Sequence, residues 1–152
     1  MKLTKFLFAV LLFIPLLQSC QNDISNLDDP RDAIAKKWRV TDDSNTYAGT
    51  NGYDVTITKE ANESTQVLFT NFHNLGTNDK LKATISGNIL TLVTPNNLDG
   101  TYLISGSGTI SSDLKTIVFN YSVKPGTDPA DSFVGTFGEV ITAKKKAAKP
   151  VL

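Results

Sequence analysis

The stretch TYLISGSGTISSDLKTIVFNYSV, Thr101 to Val123, decides the fold. Its first half sets Tyr102, Ile104 and Ile110 on one face together with Gly106 and Gly108. Its second half sets Ile117, Phe119, Tyr121 and Val123 on one face. Alternation sustained in this way is the period of a strand, because successive side chains of an extended chain point to opposite sides. Ser111-Ser112-Asp113 supplies turn formers between the halves, so the two are expected to pair as a hairpin. Glycine weakens a strand interior unless something needs its space. Gly106 and Gly108 are therefore expected to let the sheet bend and to let Phe119 and Tyr121 lie across them; the alternative is that they widen a pocket.

The same period runs outward in both directions. WRVTD (38–42), GYDVTITK (52–59), QVLFTNF (66–72), KLKATIS (80–86), NILTLVT (88–94) and SFVGTFGEVIT (132–142) complete a set of eight candidate strands. No periodic helix separates them, which points to an antiparallel sheet built from hairpins. Ser86-Gly87-Asn88 reads as a tight link, while NNLDG (96–100) and PGTDP (125–129) read as longer exposed breaks. Ahead of the strands, DPRDAIAKKW (29–38) predicts a short helix with Asp29 as N-cap and Pro30 at the first helical position. The expected fold is all-β: an eight-stranded antiparallel up-and-down barrel preceded by that short helix. Closure removes exposed edges, and a barrel of this size is filled by side chains or holds one small ligand. The aromatic residues expected to face inward, and nominated as ligand-binding, are Trp38, Tyr53, Phe69, Tyr102, Phe119 and Tyr121.

The N-terminus carries a different signal. Lys2 and Lys5 precede an apolar run from Phe6 to Leu17, too short for the roughly 20 residues that a spanning helix needs. It reads as a secretory leader. Leu17-Gln18-Ser19-Cys20 then resembles the lipobox of bacterial lipoproteins, with Leu17 and Ser19 on pattern and Gln18 bulkier than usual. That resemblance implies cleavage before Cys20 and its acylation, so residues 1–19 are the signal peptide and Cys20 is the membrane anchor. Acyl chains contribute about 0.8 kcal/mol per buried methylene, and two or three chains hold a protein stably. The polar stretch that follows contains Asp23, Asp28, Asp29 and Asp32, and residues 20–30 are expected to form an acidic tether. The tether also loosely resembles the acidic export signal of surface lipoproteins in Bacteroidota. An outer-membrane location is expected, on the periplasmic face or, by preference, at the cell surface.

Composition excludes several function classes. Without Lys2 and Lys5 the chain holds 13 basic and 15 acidic residues, a balance unsuited to nucleic acid. One cysteine and one histidine, His73, leave no ligand set for zinc or copper, and no cofactor is expected. His73 sits in the polar stretch NFHNLGTND and reads as a solvated loop residue, and Asp42-Asp43 reads as a turn. No catalytic residue is nominated. The last ten residues, 143–152, form a basic tail read as a frayed terminus.

Taken together, Trp38 after a short helix, YDVTITK, FTNFHNLG, LKATISGNILTL and YLISGSGTISSDLKTIVFNYSV resemble the small lipocalin-like, or calycin-like, lipoproteins of Bacteroidota. The resemblance spans roughly residues 36–142 within an expected barrel domain of 31–142. Lys36-Lys37-Trp38 keeps the lipocalin tryptophan and lacks the glycine that precedes it. The expected function is a lipid-anchored, non-enzymatic envelope protein that binds a small apolar or amphipathic ligand inside its barrel. The alternative is a structural lipoprotein with a filled barrel that meets envelope protein partners; a hydrolase stands third.

Overall fold

Residues 27–43, 52–76, 80–93, 96–98 and 101–140 are described by a computed structural model. The leader, Cys20 and the basic tail lie outside the described residues. The strands are β1 (Lys37–Asp42), β2 (Tyr53–Lys59), β3 (Gln66–Thr70), β4 (Lys80–Ser86), β5 (Ile89–Leu92), β6 (Asn96–Leu98), β7 (Tyr102–Ile110), β8 (Thr116–Pro125) and β9 (Asp131–Glu139). All eight expected strands are present, each antiparallel to its neighbours. β1 pairs with β9 and β5 with β7, so β1–β5 and β7–β9 close into an eight-stranded barrel. Closure gives each of these eight strands a partner on both sides, and the short β6, paired only with β7, is the edge that remains among the described residues.

β6 is an addition, formed where NNLDG was expected to be an exposed break. β5 reaches only Ser107–Thr109 of β7, which leaves the edge at Tyr102–Ile104 for β6 to pair with. Unpaired backbone groups seek partners, so a broken strand covers the edge that an unbroken one would have covered.

The short N-terminal helix is not formed as expected. Asp29 does cap, its carboxylate accepting from the Arg31 amide at 3.0 Å, and Pro30 does open the element, but only a 3-10 turn, Pro30–Ala33, results. Ile34 then drops into the end of the barrel, fully buried, and Lys37 is already in register with Thr56. Sheet pairing claims the residues a helix would have used. The turn is latched from both sides. Arg31 grips Asp29 through two bonds of 2.9 Å and donates to the carbonyls of Glu60 (3.0 Å) and Glu63 (2.8 Å). Lys59 also reaches Asp29 at 3.0 Å, so Asp29 belongs to the folded domain rather than to a free tether. These charge-assisted bonds hold the Asp29 carboxyl far below the usual carboxylate range.

Inward rows fill the barrel. Trp38, Phe69 and Phe119 are fully enclosed, and Trp38 Nε1 donates to the Ile34 carbonyl at 2.9 Å. Phe69 meets Phe72, Phe119 and Phe137 edge to face, with ring centroids 5.6, 5.7 and 6.2 Å away. Such pairs contribute about 0.5–1.5 kcal/mol each beyond the area they bury. The glycine expectation holds at Gly108, which the Phe119 ring crosses; at Gly106 the space is taken by the backbone of β8 and the Tyr121 Cβ rather than by the Tyr121 ring. A Cβ on Gly108 would stand 2.5 Å from Phe119 Cε2, inside the ring's van der Waals envelope. At Gly106 (φ +153°) it would stand 2.6 Å from Tyr121 Cα.

Candidate functional site

The barrel has two unlike ends. Trp38 and Ile34 seal one. At the other, β1 finishes, β2 starts, and the segment after β3 folds inward through a 3-10 turn at Phe72–Asn74. That segment has a dense run of unusual backbone: Asn71, His73 and Asn74 all have positive φ (64°, 51° and 55°). Asparagine tolerates this left-handed region, whereas histidine is held in it at some cost, and such conformations persist where the surroundings over-determine them. Asn71 supplies the determination, donating to the Asp54 carbonyl at 2.9 Å and accepting from the Gly76 amide at 3.0 Å. Phe72 and His73 are thereby turned inward and buried.

His73 joins a polar network instead of solvent. Its Nδ1 lies 2.8 Å from the Tyr121 hydroxyl and 3.6 Å from Asp42 Oδ2. Asp42 Oδ2 accepts from the hydroxyls of Tyr53 at 2.9 Å and Tyr121 at 3.1 Å. The Asp42 side chain is fully buried, so the residue read as part of a turn is a strand end aimed into the barrel. Two tyrosine hydroxyls around a carboxylate satisfy it by charge-assisted hydrogen bonds. With the Tyr121 proton directed to Asp42, the Tyr121 oxygen is left to accept, which places a hydrogen on His73 Nδ1. Burial pushes the imidazole below its ordinary 6.5 against the opposing pull of Asp42, and burial first, then the nearby charges, pushes both phenols well above their usual value. The tyrosines therefore stay protonated and act as donors. As chemistry, this is a hydrogen-bond relay from a neutral imidazole through a phenol to a carboxylate, with both phenols unsuited to nucleophilic attack.

Beside the relay is a cleft of about 220 Å³ at the barrel mouth, lined by His73, Leu75, Tyr102, Val123, Asp131 and Phe133, with Pro125 at its rim. The His73 and Phe133 rings lie 4.8 Å apart, and Phe133 also packs against Tyr121 at 5.6 Å. Gly135, the next inward position on β9, keeps Tyr121 close: an added Cβ would come within 3.3 Å of its Cε1.

The sequence-nominated residues divide between the barrel's parts. Trp38, Phe69 and Phe119 are core. Tyr53 and Tyr121 belong to the Asp42 relay, and Tyr102 lines the cleft. Asp42, Phe72, His73, Asp131 and Phe133 complete the site and were not nominated. The alternation Asp131, Phe133, Gly135, Phe137 in β9 carried a usable signal for two of them. For His73 nothing local distinguishes a buried from a solvated loop residue. Among the described residues no group of three or more His, Cys, Asp or Glu converges on a metal position. Compared with family models, curated proteins and solved structures, the chain matches none.

Proposed function

We propose that this chain is a lipid-anchored, non-enzymatic protein of the cell envelope whose lipocalin-like barrel takes a small amphipathic molecule at its mouth. The lipobox-like LLQSC sequence supports the anchor, with Cys20 as the acylated residue at the outer membrane. The mouth cleft carries the binding half of the reading: aromatic and aliphatic walls with a few polar groups are what a small-molecule site needs. The ligand's place is then the end of the barrel near Tyr102, because the rings of Phe69 and Phe119 occupy the centre and Trp38 seals the far end.

Native mass spectrometry of the protein extracted from membranes tests both halves. A Cys20 carrying acyl chains and a co-purifying small molecule are the expected result; an unmodified Cys20 removes the anchor, and thermal stability indifferent to every amphipathic compound tried removes the ligand. A second reading, a structural lipoprotein that meets envelope partners through its loops, is favoured by the filled barrel centre. It predicts co-purification of a protein partner and no small molecule.

A further inference from the structure

Resting on the reading of the mouth as a ligand cleft, we propose that the cleft selects a small organic ammonium ion, with Asp131 as its counter-ion and the rings of Phe133 and Tyr102 as its walls.

The charge is placed there by strand parity. On β9 the inward row runs Asp131, Phe133, Gly135, Phe137, and Asp131 pairs with Val123, itself an inward residue of β8. A carboxylate thus ends a row that is otherwise apolar, at the level where the barrel opens. Asp131 is exposed and forms no salt bridge with any described residue. Among the described residues no Lys or Arg lines the cleft, and Lys124 stands at an outward position of β8. His73, the one lining residue able to become cationic, is kept neutral at neutral pH by burial. The described lining is therefore net negative, with Tyr102 and Phe133 as its aromatic and Leu75 and Val123 as its aliphatic residues.

An ammonium with a compact apolar body answers each part. Its charge meets Asp131, its N–H groups find an acceptor, and a cation near aromatic faces is attracted by their quadrupoles. An anion would meet Asp131 with no compensating base. A cleft of about 220 Å³ is small for a drug-sized ligand, so a ring-sized body fits where a lipid chain does not.

The test uses the full-length lipidated chain in zwitterionic nanodiscs, with empty nanodiscs as the blank. Three probes of one shape are titrated: 2-phenylethylammonium, 2-phenylethanol and 3-phenylpropionate. Binding is followed by NMR at the ring of His73, the chain's only histidine, and at the amides of Asp131 and Phe133. The ammonium is expected to bind about tenfold more tightly than the alcohol, equivalent to about 1.4 kcal/mol, with the propionate weakest. Asp131→Asn is expected to erase the difference between ammonium and alcohol while leaving the alcohol's affinity in place. Equal binding of ammonium and alcohol, or a preference that survives Asp131→Asn, overturns the ammonium selectivity and leaves an apolar cleft standing. Failure of all three probes to move His73 and Phe133 overturns the selectivity and the cleft reading together.

Discussion

At His73 a left-handed backbone and a buried imidazole coincide, and the two constrain each other. The side chain reaches Tyr121 and Asp42 from a turn in which Asn71 and Asn74 share its positive φ. The direction of the hydroxyl bonds predicts the Nδ1–H tautomer, visible as one set of ring signals in long-range 1H–15N spectra of the lone histidine. Replacing Tyr121 by Phe removes the acceptor and is expected to shift that tautomer equilibrium. A pH dependence follows from the same burial. The folded protein holds the imidazole pKa below its ordinary 6.5, so the folded state binds fewer protons than the unfolded one as pH falls past that value. The stability contributed by the neutral ring is complete above about pH 6.5 and is lost as pH drops through the folded-state pKa. Urea midpoints between pH 7.5 and 5 should decline for the native chain, and the decline should flatten in His73→Gln.

Among the elements, β7 shows how far a strand's own sequence reaches. Its inward row and its pairing with β8 follow from alternation, and Gly108 signals a large side chain crossing it. Phe119 crosses Gly108, and its ring is held by Phe69, Phe72 and Phe137 at 5.7, 5.5 and 5.8 Å. With no room to retreat, Gly108→Val is expected to destabilise the fold by about 1–3 kcal/mol, the usual range for overpacking. Chemical denaturation followed by Trp38 fluorescence measures the loss, and Phe119→Leu in the same chain should restore part of it. The elements that departed from expectation did so for reasons outside themselves. Pro30–Ala33 stopped at one turn because Ile34 and Trp38 were needed at the barrel's end. Asn96–Leu98 became a strand because β5 left part of β7 uncovered.

For the whole molecule, the barrel is a closed shell around interlocked rings, and Phe69 is central to the packing. Phe69→Ala should cost about 3–5 kcal/mol by removing buried surface and leaving a cavity. Because that cavity would be apolar and dry, benzene should raise the variant's melting temperature and leave the native chain's unchanged. No rise in the variant would mean that the core collapses around the missing ring.

The eight barrel strands, their hairpin pairings, the inward aromatic rows and the crossing of Gly108 by Phe119 were set by the sequence alone, since a period of two and local turns act between residues close along the chain. The lipobox-like motif around Cys20 is of the same local kind. Only the tertiary structure decided that Asp42, Tyr53, His73 and Tyr121 share one network and that Asp131 closes an aromatic mouth. These residues come from β1, β2, the turn after β3, β8 and β9, and they meet because closure of the barrel brings the ends of those strands to one rim. Burial, which sets the protonation of the histidine and the phenols, is a property of that closed shell and has no counterpart in the spacing of residues along the chain.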